Sequence, residues 1–441
     1  MDLSHRRVLR ARSFDAFLHL FSCLDEHFLR RRVWGAMQVV VGVFALVIPG
    51  RDMSYQAACK TVFHWAGIRF GWAQTPDHAG FARARTKVST DEFLRVLSLA
   101  KTWATTQLRQ VESLLPGRML VAIDGSILHV PRTASLKRSF PIPADRIGLE
   151  QYHYPQALLV SAWDVARRIP LAWKLSSIRR GERDVLRDLL AVLPALCVLI
   201  LDRGYPARDL IGEILASGRD FVVRMTSAES GSWPEVAAFL ASGKRSAIVD
   251  VLVGKGRERR SVRLRLVRRV FARGRPGKHQ RRDVMVVLTS LVDTALDDRD
   301  LCRLYGARWG IETIYREMKS IGQIERWHGR TPALIEQELL ALMLWFTIAA
   351  VFAQLTLVTH DDPHPDRPLQ RPNTKRVFEA VGIVLEALFC SALSTGRVAV
   401  LFLARADDAI NHIRRTLQRR RPGRSYARKA KHPYARFEAN T

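Results

Sequence analysis

Apolar positions recur at two different periods along the chain and divide it into helical and mixed parts. From residue 1 to about 110 the spacing is helical, and "SYQAACKTVFHWAG" and "STDEFLRVLSLAKTWATTQL" offer Ser or Thr helix starts. At "GRMLVAIDGS" a short apolar run stops at Asp124, which is typical of a strand buried on both faces. The pattern predicts a small helical domain followed by a sheet.

The next stretch alternates strands with helices. "YPQALLVSAWDVARRIPLAWKL" predicts two strands around a turn, and "RDVLRDLLAVLP" predicts a helix. "CVLILDRGYPARDLIGEILASGRDFVVRM" then predicts a strand, Asp202, a helix and another strand. This order, with an acid at the end of a strand, predicts an α/β sheet whose carboxyl ends hold a site.

A very basic, strand-rich section interrupts this alternation. In "SVRLRLVRRVF" apolar residues alternate with Arg263 and Arg265, which is the period of a half-buried strand. Helical patterns return before a Pro-rich linker, "HDDPHPDRPLQRPN", and the chain closes on a helical portion and an Arg-rich tail. The predicted organisation is a helical region (1–110), a core in two parts (111–240 and 293–360), a β-rich basic insertion (241–292), and a linker, helical region and basic tail (361–441).

Two apolar runs are long enough, or nearly so, to cross a bilayer. They are "LLALMLWFTIAAVFAQLTLV" at 339–358 and "VWGAMQVVVGVFALVIPG" from Val33. Because the chain has no pattern of alternating spans and loops, we expect both to be buried core helices, with membrane insertion as the alternative. The amino terminus lacks the apolar core and cleavage site of a secretory signal, so we expect a cytoplasmic protein.

The charge balance points to a polyanionic partner. The chain carries 70 Lys and Arg against 42 Asp and Glu, a formal net charge of +28. Such a field attracts polyanions, so nucleic acid is the leading partner and an anionic membrane surface the second.

One segment, "LYGARWGIETIYREMK", carries polar side chains at helical spacing. At about 100° per residue, Tyr305, Arg308, Glu312 and Lys319 fall within one stripe of about 60° on a single helix. A solvated surface does not need this combination, whereas a helix beside a phosphate backbone and a metal does.

Three acids from distant parts of the chain are candidate metal ligands: Asp124, Asp202 and Glu312. Magnesium takes oxygen ligands, and a pair of ions roughly 4 Å apart can clamp the attacking and leaving oxygens of phosphoryl transfer. Bound metal itself favours ionised carboxylates, so no unusual pKa is required. Taken singly, Asp124 could be a strand-to-turn residue, Asp202 a helix cap or ion-pair member, and Glu312 a partner of Arg308.

These motifs resemble the DDE transposases of bacterial cut-and-paste insertion sequences. Their "YREK" signature reads Tyr, two residues, Arg, three residues, Glu, six residues and Lys, which Tyr305, Arg308, Glu312 and Lys319 match throughout. The resemblance runs from about residue 70 to about residue 350.

Three further segments carry the resemblance. "AIDGS" around Asp124 resembles the family's first catalytic acid, and "LILDRGY" around Asp202 resembles its second. In "DFVVRM", Arg224 matches a basic position that the family uses near the transposon end.

The resemblance implies an RNase H-like mixed-sheet core flanked by helices, with the β-rich insertion between the second and third acids. It also implies a helical N-terminal domain that binds the DNA ends and a bacterial, nucleoid-associated protein. Members of the family bind terminal inverted repeats, pair two ends in a homodimer, cut, form and reopen a hairpin, and join the element to target DNA.

The resemblance implies a role for each candidate residue. Asp124, Asp202 and Glu312 would be catalytic and hold two magnesium ions, with manganese as a substitute. Arg308 and Lys319 would hold phosphates near the cut.

For the aromatic side chains, the resemblance leaves more than one role open. Tyr305 would contact DNA through a phosphate or a base. Trp233, Trp309 and Trp327 are candidates for stacking on an extruded base, although we expect core packing for each.

Three alternatives share parts of the pattern. An RNase H-like nuclease would need the same acids, and a domesticated DNA-binding protein would have lost the chemistry. A glycosidase with paired carboxylates fits the acids but does not fit the net charge of +28.

Overall fold

The structure is a computed structural model that describes most of the chain between residues 34 and 419. The described ranges are 34–48, 54–64, 74–108, 111, 113–143, 152–226, 233–273, 281–293, 295–358, 370–391 and 397–419. The basic tail and most of the Pro-rich linker lie outside them.

Helices surround a large sheet. The described helices are α1 (Ala36–Leu46), α2 (Tyr55–Val62), α3 (His78–Arg85), α4 (Thr90–Gln107), α5 (Ala134–Ser139), α6 (Glu182–Leu190), α7 (Arg208–Ala216), α8 (Pro234–Ala241), α9 (Asp298–Gly306), α10 (Trp309–Ser320), α11 (Pro332–Val358), α12 (Thr374–Ser391) and α13 (Arg397–Arg415). The helical prediction for the N-terminal region and the mixed α/β prediction are therefore confirmed for the described residues.

Eight strands form one mixed sheet in the order β3-β2-β1-β4-β5-β8-β7-β6. They are β1 (Leu120–His129), β2 (Gln156–Asp164), β3 (Ile169–Ser177), β4 (Val198–Leu201), β5 (Asp220–Met225), β6 (Ser246–Val253), β7 (Arg260–Arg273) and β8 (Arg281–Thr289). The chain also forms a short antiparallel pair, β9 (Gln370–Arg371) with β10 (Gln418–Arg419). β1 pairs antiparallel with β2 and parallel with β4, and β4 pairs parallel with β5. The strand, helix, strand prediction around Asp202 is confirmed.

The prediction that the first strand ends at Asp124 is wrong. β1 continues to His129 because β2 accompanies it as far as Gln156, opposite His129. Its parallel pairing with β4, however, stops at Ala122. Asp124 therefore lies where one neighbouring strand has ended and the other continues.

The basic section between 241 and 292 extends the sheet. β8 pairs antiparallel with β5, and β7 and β6 follow outward. Arg265 is buried in this layer, where its guanidinium donates to the carboxylate of Asp298 at 2.7 Å and to the carbonyl oxygen of Leu296 at 2.7 Å. This arginine ties the strands to α9, so it serves neither as a phosphate contact nor as a solvated charge.

Both long apolar runs form buried helices, as expected. Every residue of α1 is buried. α11 is long and apolar enough to cross a membrane, with a mean hydropathy of 2.0 over the window, but 83% of that window is buried inside the protein. Its length reflects a core helix that contacts α1, α4 and β3.

A buried ion pair fastens the N-terminal helices to α11. The Arg85 side chain at the end of α3 has no exposed surface, and its Nη2 lies 2.6 Å from Oε1 of Glu338. The same guanidinium donates to Gln337 at 3.0 Å and to the hydroxyl of Tyr55 at 3.0 Å. Gln337 in turn donates to the carbonyl oxygen of Val88 at 2.9 Å. This network fixes how α2, α3 and α11 meet.

Candidate active site

Three candidate residues lie in register with one another, at or just beyond the carboxyl ends of the paired parallel segments. Ala122 pairs with Ile200 and Leu201 pairs with Val223, so Asp124, Asp202 and Arg224 continue the same register. Neighbouring strands are about 4.8 Å apart, and residues two positions apart point to one face.

That face is the one covered by α9 and α10. Leu120, Val198, Ile200 and Val222 pack there against Leu301 and Tyr305 of α9. Asp124, Asp202 and Arg224 are each two or four residues beyond one of these sheet positions, so their side chains emerge beside the two helices.

The single helix predicted for the "YREK" segment is wrong. α9 ends at Gly306, Ala307 and Arg308 form a turn, and α10 begins at Trp309. Tyr305 therefore does not share the helix face of Glu312. Its side chain is 5% exposed and packs in the core, and the guanidinium carbon of Arg308 lies 5.9 Å from its ring centre. In this arrangement the Tyr305 ring lies on the core side of the Arg308 guanidinium.

Arg308 links two of the three acids. One guanidinium nitrogen donates a short hydrogen bond to the carboxylate of Glu312, and another lies 3.7 Å from Oδ2 of Asp124. The arginine side chain is 12% exposed, so this contact is largely shielded from water. The pairing of Glu312 with Arg308, one of the simpler explanations weighed for that acid, is present, but it also brings Glu312 towards Asp124.

Tyr315 fixes α10 against the strand that carries Asp124. Its buried hydroxyl lies 2.8 Å from the backbone oxygen of Asp124 and 2.8 Å from Oγ of Ser161. The indole of Trp163 donates to the same Oγ at 2.8 Å. Because Tyr315 is one turn after Glu312, these contacts set both the height and the rotation of α10 at the acids.

A fourth acid, Glu182, lies in the same place and was missed from the sequence. It is the first residue of α6, and its Oε1 is 2.4 Å from where a Cβ on Gly125 would stand. Glycine at 125 therefore lets this carboxylate lie against β1 beside Asp124. The only sequence signal is that Gly125 follows Asp124, which does not identify its distant neighbour.

Crowded carboxylates change the ionisation of Asp124. The pKa of Asp124 is raised to about 7, mainly by burial and also by the nearby Glu182 and Asp202, while Arg308 and the amide of Gly125 act to lower it. Burial, together with Asp202, also raises the pKa of Glu182 above its usual 4.5.

The raised pKa of Asp124 predicts a stability change on neutralisation. Its pKa in the folded protein exceeds its usual 3.8, so the ionised carboxylate destabilises the fold increasingly from about pH 4 to about pH 7 and constantly above that. In metal-free buffer at pH 8, we expect Asp124→Asn to melt at least about 1–2 °C above the wild type. The gain should shrink towards pH 4.

Differential scanning calorimetry checks this, with the exposed Asp250→Asn as the matched control. An Asp124→Asn protein that melts at or below the wild type at pH 8 contradicts the electrostatic description of the site.

The donor set suits hard divalent cations. Asp124, Glu182, Asp202 and Glu312 supply oxygen donors, and Arg308 is the cation that contacts two of them. Asp124 lies near two further acids, Glu182 and Asp202, as well as Arg308, and a divalent ion would offset the resulting negative charge. Over the described ranges, no group of three or more His, Cys, Asp or Glu side chains already has the spacing of a metal site.

Two of the predicted phosphate contacts border this cluster. The Lys319 ammonium, at the end of α10, donates to the carbonyl oxygen of Ile127 at 2.8 Å, three residues beyond Asp124 on β1. Arg224 is half-buried on β5. Arg308 has a buried Nε that donates no hydrogen bond within the described part of the chain.

The three candidate tryptophans differ in exposure. Trp233 is buried under the guanidinium of Arg208, 4.5 Å from its ring centre, and Trp327 is half-buried and donates to the carbonyl oxygen of His129 at 2.8 Å. Core packing is thus confirmed for these two. Trp309, next to Arg308, is 63% exposed, so the expectation of core packing is wrong there.

Comparison with known proteins identifies the class. Residues 115–348 match the family described as "Transposase DDE domain", and this match covers more than half of the chain. The protein therefore belongs to the family of DDE transposases, as the "YREK" spacing predicted.

A second comparison finds a similar protein that is named as a transposase. The chain is similar to "Transposase InsG for insertion sequence element IS4" of Escherichia coli (strain K12), with 23% identity over 297 residues. The similarity covers 65% of this chain and 62% of that relative, so the chain spans less than two thirds of the relative's length.

Proposed function

We propose that this protein is a cut-and-paste transposase that cleaves DNA at the terminal inverted repeats of an insertion sequence. The observation that carries the proposal is that Asp124 and Glu312 both contact Arg308, and that Asp202 directly follows β4, the strand paired with the one that carries Asp124. These acids are the positions that match the family's catalytic residues, and they come from three distant stretches of sequence.

The strand order supports an RNase H-like core for this reaction. Three antiparallel strands, β3, β2 and β1, continue into parallel β4 and β5, with acids level on β1 and just after β4. α10 brings Glu312 to the same face. The proposed division into an N-terminal end-binding domain (1–110), a two-part core (111–240 and 293–360), an insertion (241–292) and a basic C-terminal region (361–441) is built around this sheet.

The carboxylates of Asp124, Asp202 and Glu312 would hold two divalent ions, magnesium with manganese as a substitute. Such ions activate the attacking oxygen and stabilise the leaving oxygen of phosphoryl transfer. Glu182 lies close enough to Asp124 to raise the pKa of its carboxyl group. Arg308 contacts Oε1 of Glu312, so Oε2 would be the oxygen that serves as a metal ligand.

Arg308 would then hold the phosphate beside the cut. Its buried Nε has no hydrogen-bond acceptor within the described residues, and a guanidinium binds phosphate through two parallel N–H donors. Lys319 and Arg224 would contact neighbouring phosphates from α10 and β5. Tyr305, buried under the guanidinium, would orient Arg308 and reach DNA only after a rearrangement.

The partners follow from this chemistry and from the charge. Double-stranded DNA with terminal inverted repeats is the substrate, target DNA is the acceptor, and a homodimer pairs the two ends. A net charge of +28 favours encounter with DNA, and a nucleoid-associated protein in the bacterial cytoplasm meets this substrate.

Trp309 is the best placed aromatic for stacking on a base extruded during hairpin formation. It is exposed and adjacent to Arg308. Loss of one stacked base costs about 1–3 kcal/mol, so we expect Trp309→Ala to slow hairpin formation by about 5- to 100-fold while first-strand nicking changes little. Gel analysis of both products checks this. Trp309→Phe should retain most of the hairpin activity, and equal slowing of both steps would contradict the assignment.

Incubation of the protein with end-containing DNA and magnesium tests the proposal itself. Hairpins and strand-transfer products support transposition, because both require a site that cuts and rejoins. Nicks alone would instead indicate an RNase H-like nuclease. DNA binding without any cleavage would indicate a domesticated, catalytically silent protein.

A further inference from the structure

A cleft lies beside α10, on a different side of the helix from Glu312. It has a cavity volume of about 270 Å³ and is bordered by α10, α11, the start of α12 and the turn between β2 and β3. Thr313 and Glu317 of α10 line it, at about 100° and 140° from Glu312 around the helix axis. The cleft is thus adjacent to the acids but does not include them.

The rim of the cleft is cationic. Arg168, Arg316, Arg371 and Lys375 line it together with a single acid, Glu317. That acid is already satisfied, because its carboxylate forms an ion pair with Arg168 and accepts a hydrogen bond from Thr374 at 2.8 Å. Three cations therefore remain in excess at the rim.

These three cations face solvent. Arg316 is exposed and donates a hydrogen bond of 3.4 Å to Thr313. The ammonium of Lys375 is 4.0 Å from the carboxylate of Glu379, and its side chain is 72% exposed. Arg371 is also exposed. An anion entering the cleft would meet all three without breaking a buried contact.

The floor of the cleft is apolar and consists largely of small residues. Ala349, Ala350 and Ala353 of α11 leave the space, and Phe346 and Phe378 flank it. The two phenylalanine rings meet edge to face at 5.0 Å. An inorganic anion makes no use of such a floor, and duplex DNA keeps its bases stacked away from one. A phosphate attached to a flat base uses both the rim and the floor.

We propose that this cleft binds one nucleotide unit, with its phosphate at the Arg316, Arg371 and Lys375 rim and its unstacked base on the alanine floor. The volume is close to the lower end of small-ligand pockets and fits one unit rather than a duplex. The unit comes either from single-stranded DNA leaving the acids or from a free nucleotide. The cleft needs no metal, so the proposal stands independently of the catalytic one.

Photo-crosslinking tests the location directly. The full chain in EDTA is irradiated with a short single-stranded oligonucleotide containing 5-iodouracil, and the crosslinked peptides are identified by mass spectrometry. We expect crosslinks at Phe346 or Phe378. Crosslinks found only elsewhere would overturn the proposal.

Two variants separate the floor from the rim. Ala353→Leu fills the floor and should reduce the crosslink at least about fivefold, whereas Ala216→Leu, at an exposed position at the end of α7, should not. Arg316→Ala removes an exposed rim cation and should reduce it similarly, whereas the exposed Lys87→Ala should not. Because Arg316 is exposed, this variant keeps the test open if Ala353→Leu misfolds.

Competition distinguishes the two sources of the nucleotide. If free dUMP at millimolar concentration removes the Phe346 or Phe378 crosslink, the cleft accepts a mononucleotide. If only unlabelled single strands remove it, the cleft requires the DNA strand. An abasic oligonucleotide that competes as well as a normal one would show that the floor binds no base, which contradicts the proposal.

Discussion

The Glu312→Gln variant is expected to lose DNA strand cleavage by about 10³-fold or more while keeping its fold. A bound metal contributes several kcal/mol to the transition state, and each 1.36 kcal/mol corresponds to a factor of ten in rate. Glutamine preserves the shape of the side chain and can still accept the hydrogen bond from Arg308, so α10 should remain in place. Rates of nicking on end-containing DNA in magnesium measure the loss.

A matched control removes the same charge elsewhere. Glu258→Gln changes an exposed glutamate at the edge of the sheet and should cleave like the wild type. Calorimetry confirms that both variants fold. Full cleavage by Glu312→Gln would mean that this glutamate only pairs with Arg308, and its assignment to catalysis would be wrong.

Glu338→Gln should reduce the free energy of unfolding by about 3–5 kcal/mol. The substitution leaves the guanidinium of Arg85 buried without its carboxylate partner, and both side chains are almost completely shielded from water. It also weakens the acceptor for the backbone amides of His328 and Gly329, which bind Glu338 at 3.0 and 2.8 Å. The midpoint of urea unfolding measures the effect.

The same helix provides the control. Glu336→Gln lies two residues earlier at an exposed position, and because burial and Asp91 raise the pKa of Glu336, the variant should leave the midpoint unchanged or raise it slightly. Replacing both partners, Arg85→Met with Glu338→Leu, should recover part of the loss because neither charge is then left unpaired. Equal midpoints for Glu338→Gln and Glu336→Gln would show that the ion pair does not fasten the helices.

The pH dependence of this pair has a definite sign. Burial acts to raise the pKa of Glu338, but the hydrogen bond from His328 and the charge of Arg85 outweigh it, so the pKa lies below its usual 4.5. The stabilisation is therefore complete above about pH 4.5 and is lost as the pH falls through the folded-state pKa. The Glu338→Gln variant should consequently show a weaker acid dependence than the wild type.

Periodicity was sufficient for the strands and most helices because their burial is regular. The alternation of Val262, Leu264 and Leu266 with arginines corresponds to strand β7. The predicted order of strand, helix and strand around Asp202 corresponds to β4, α7 and β5. The extent of β1 could not be read in this way. Polar Asp124 and Gly125 interrupt the apolar run, but pairing with β2 continues the strand to His129.

Spacing alone also could not separate one helix from two. Tyr305, Arg308 and Glu312 have helical spacing, yet Gly306 ends α9 and the chain turns before Trp309. The turn is what aims Arg308 at Asp124 while Tyr305 enters the core. The "YREK" match therefore points to residues that the structure brings close to Asp124, but the prediction that all four share one helix face is wrong.

Long-range contacts explain what the sequence could not supply at the site. Glu182 meets Asp124 because the first turn of α6 lies on Gly125, 57 positions earlier in the chain. Arg265 appeared to be one of many basic surface residues, but a contact with Asp298 places it in the interior. Glu182 and Gly125 are far apart in sequence, as are Arg265 and Asp298, so no local sequence pattern predicts either contact.

A crystal structure grown with manganese, measured at a wavelength where manganese scatters anomalously, tests the central claim most directly. Two anomalous peaks are expected about 4 Å apart between the carboxylates of Asp124, Asp202 and Glu312. Peaks bound elsewhere, with manganese on other residues, would contradict the claim.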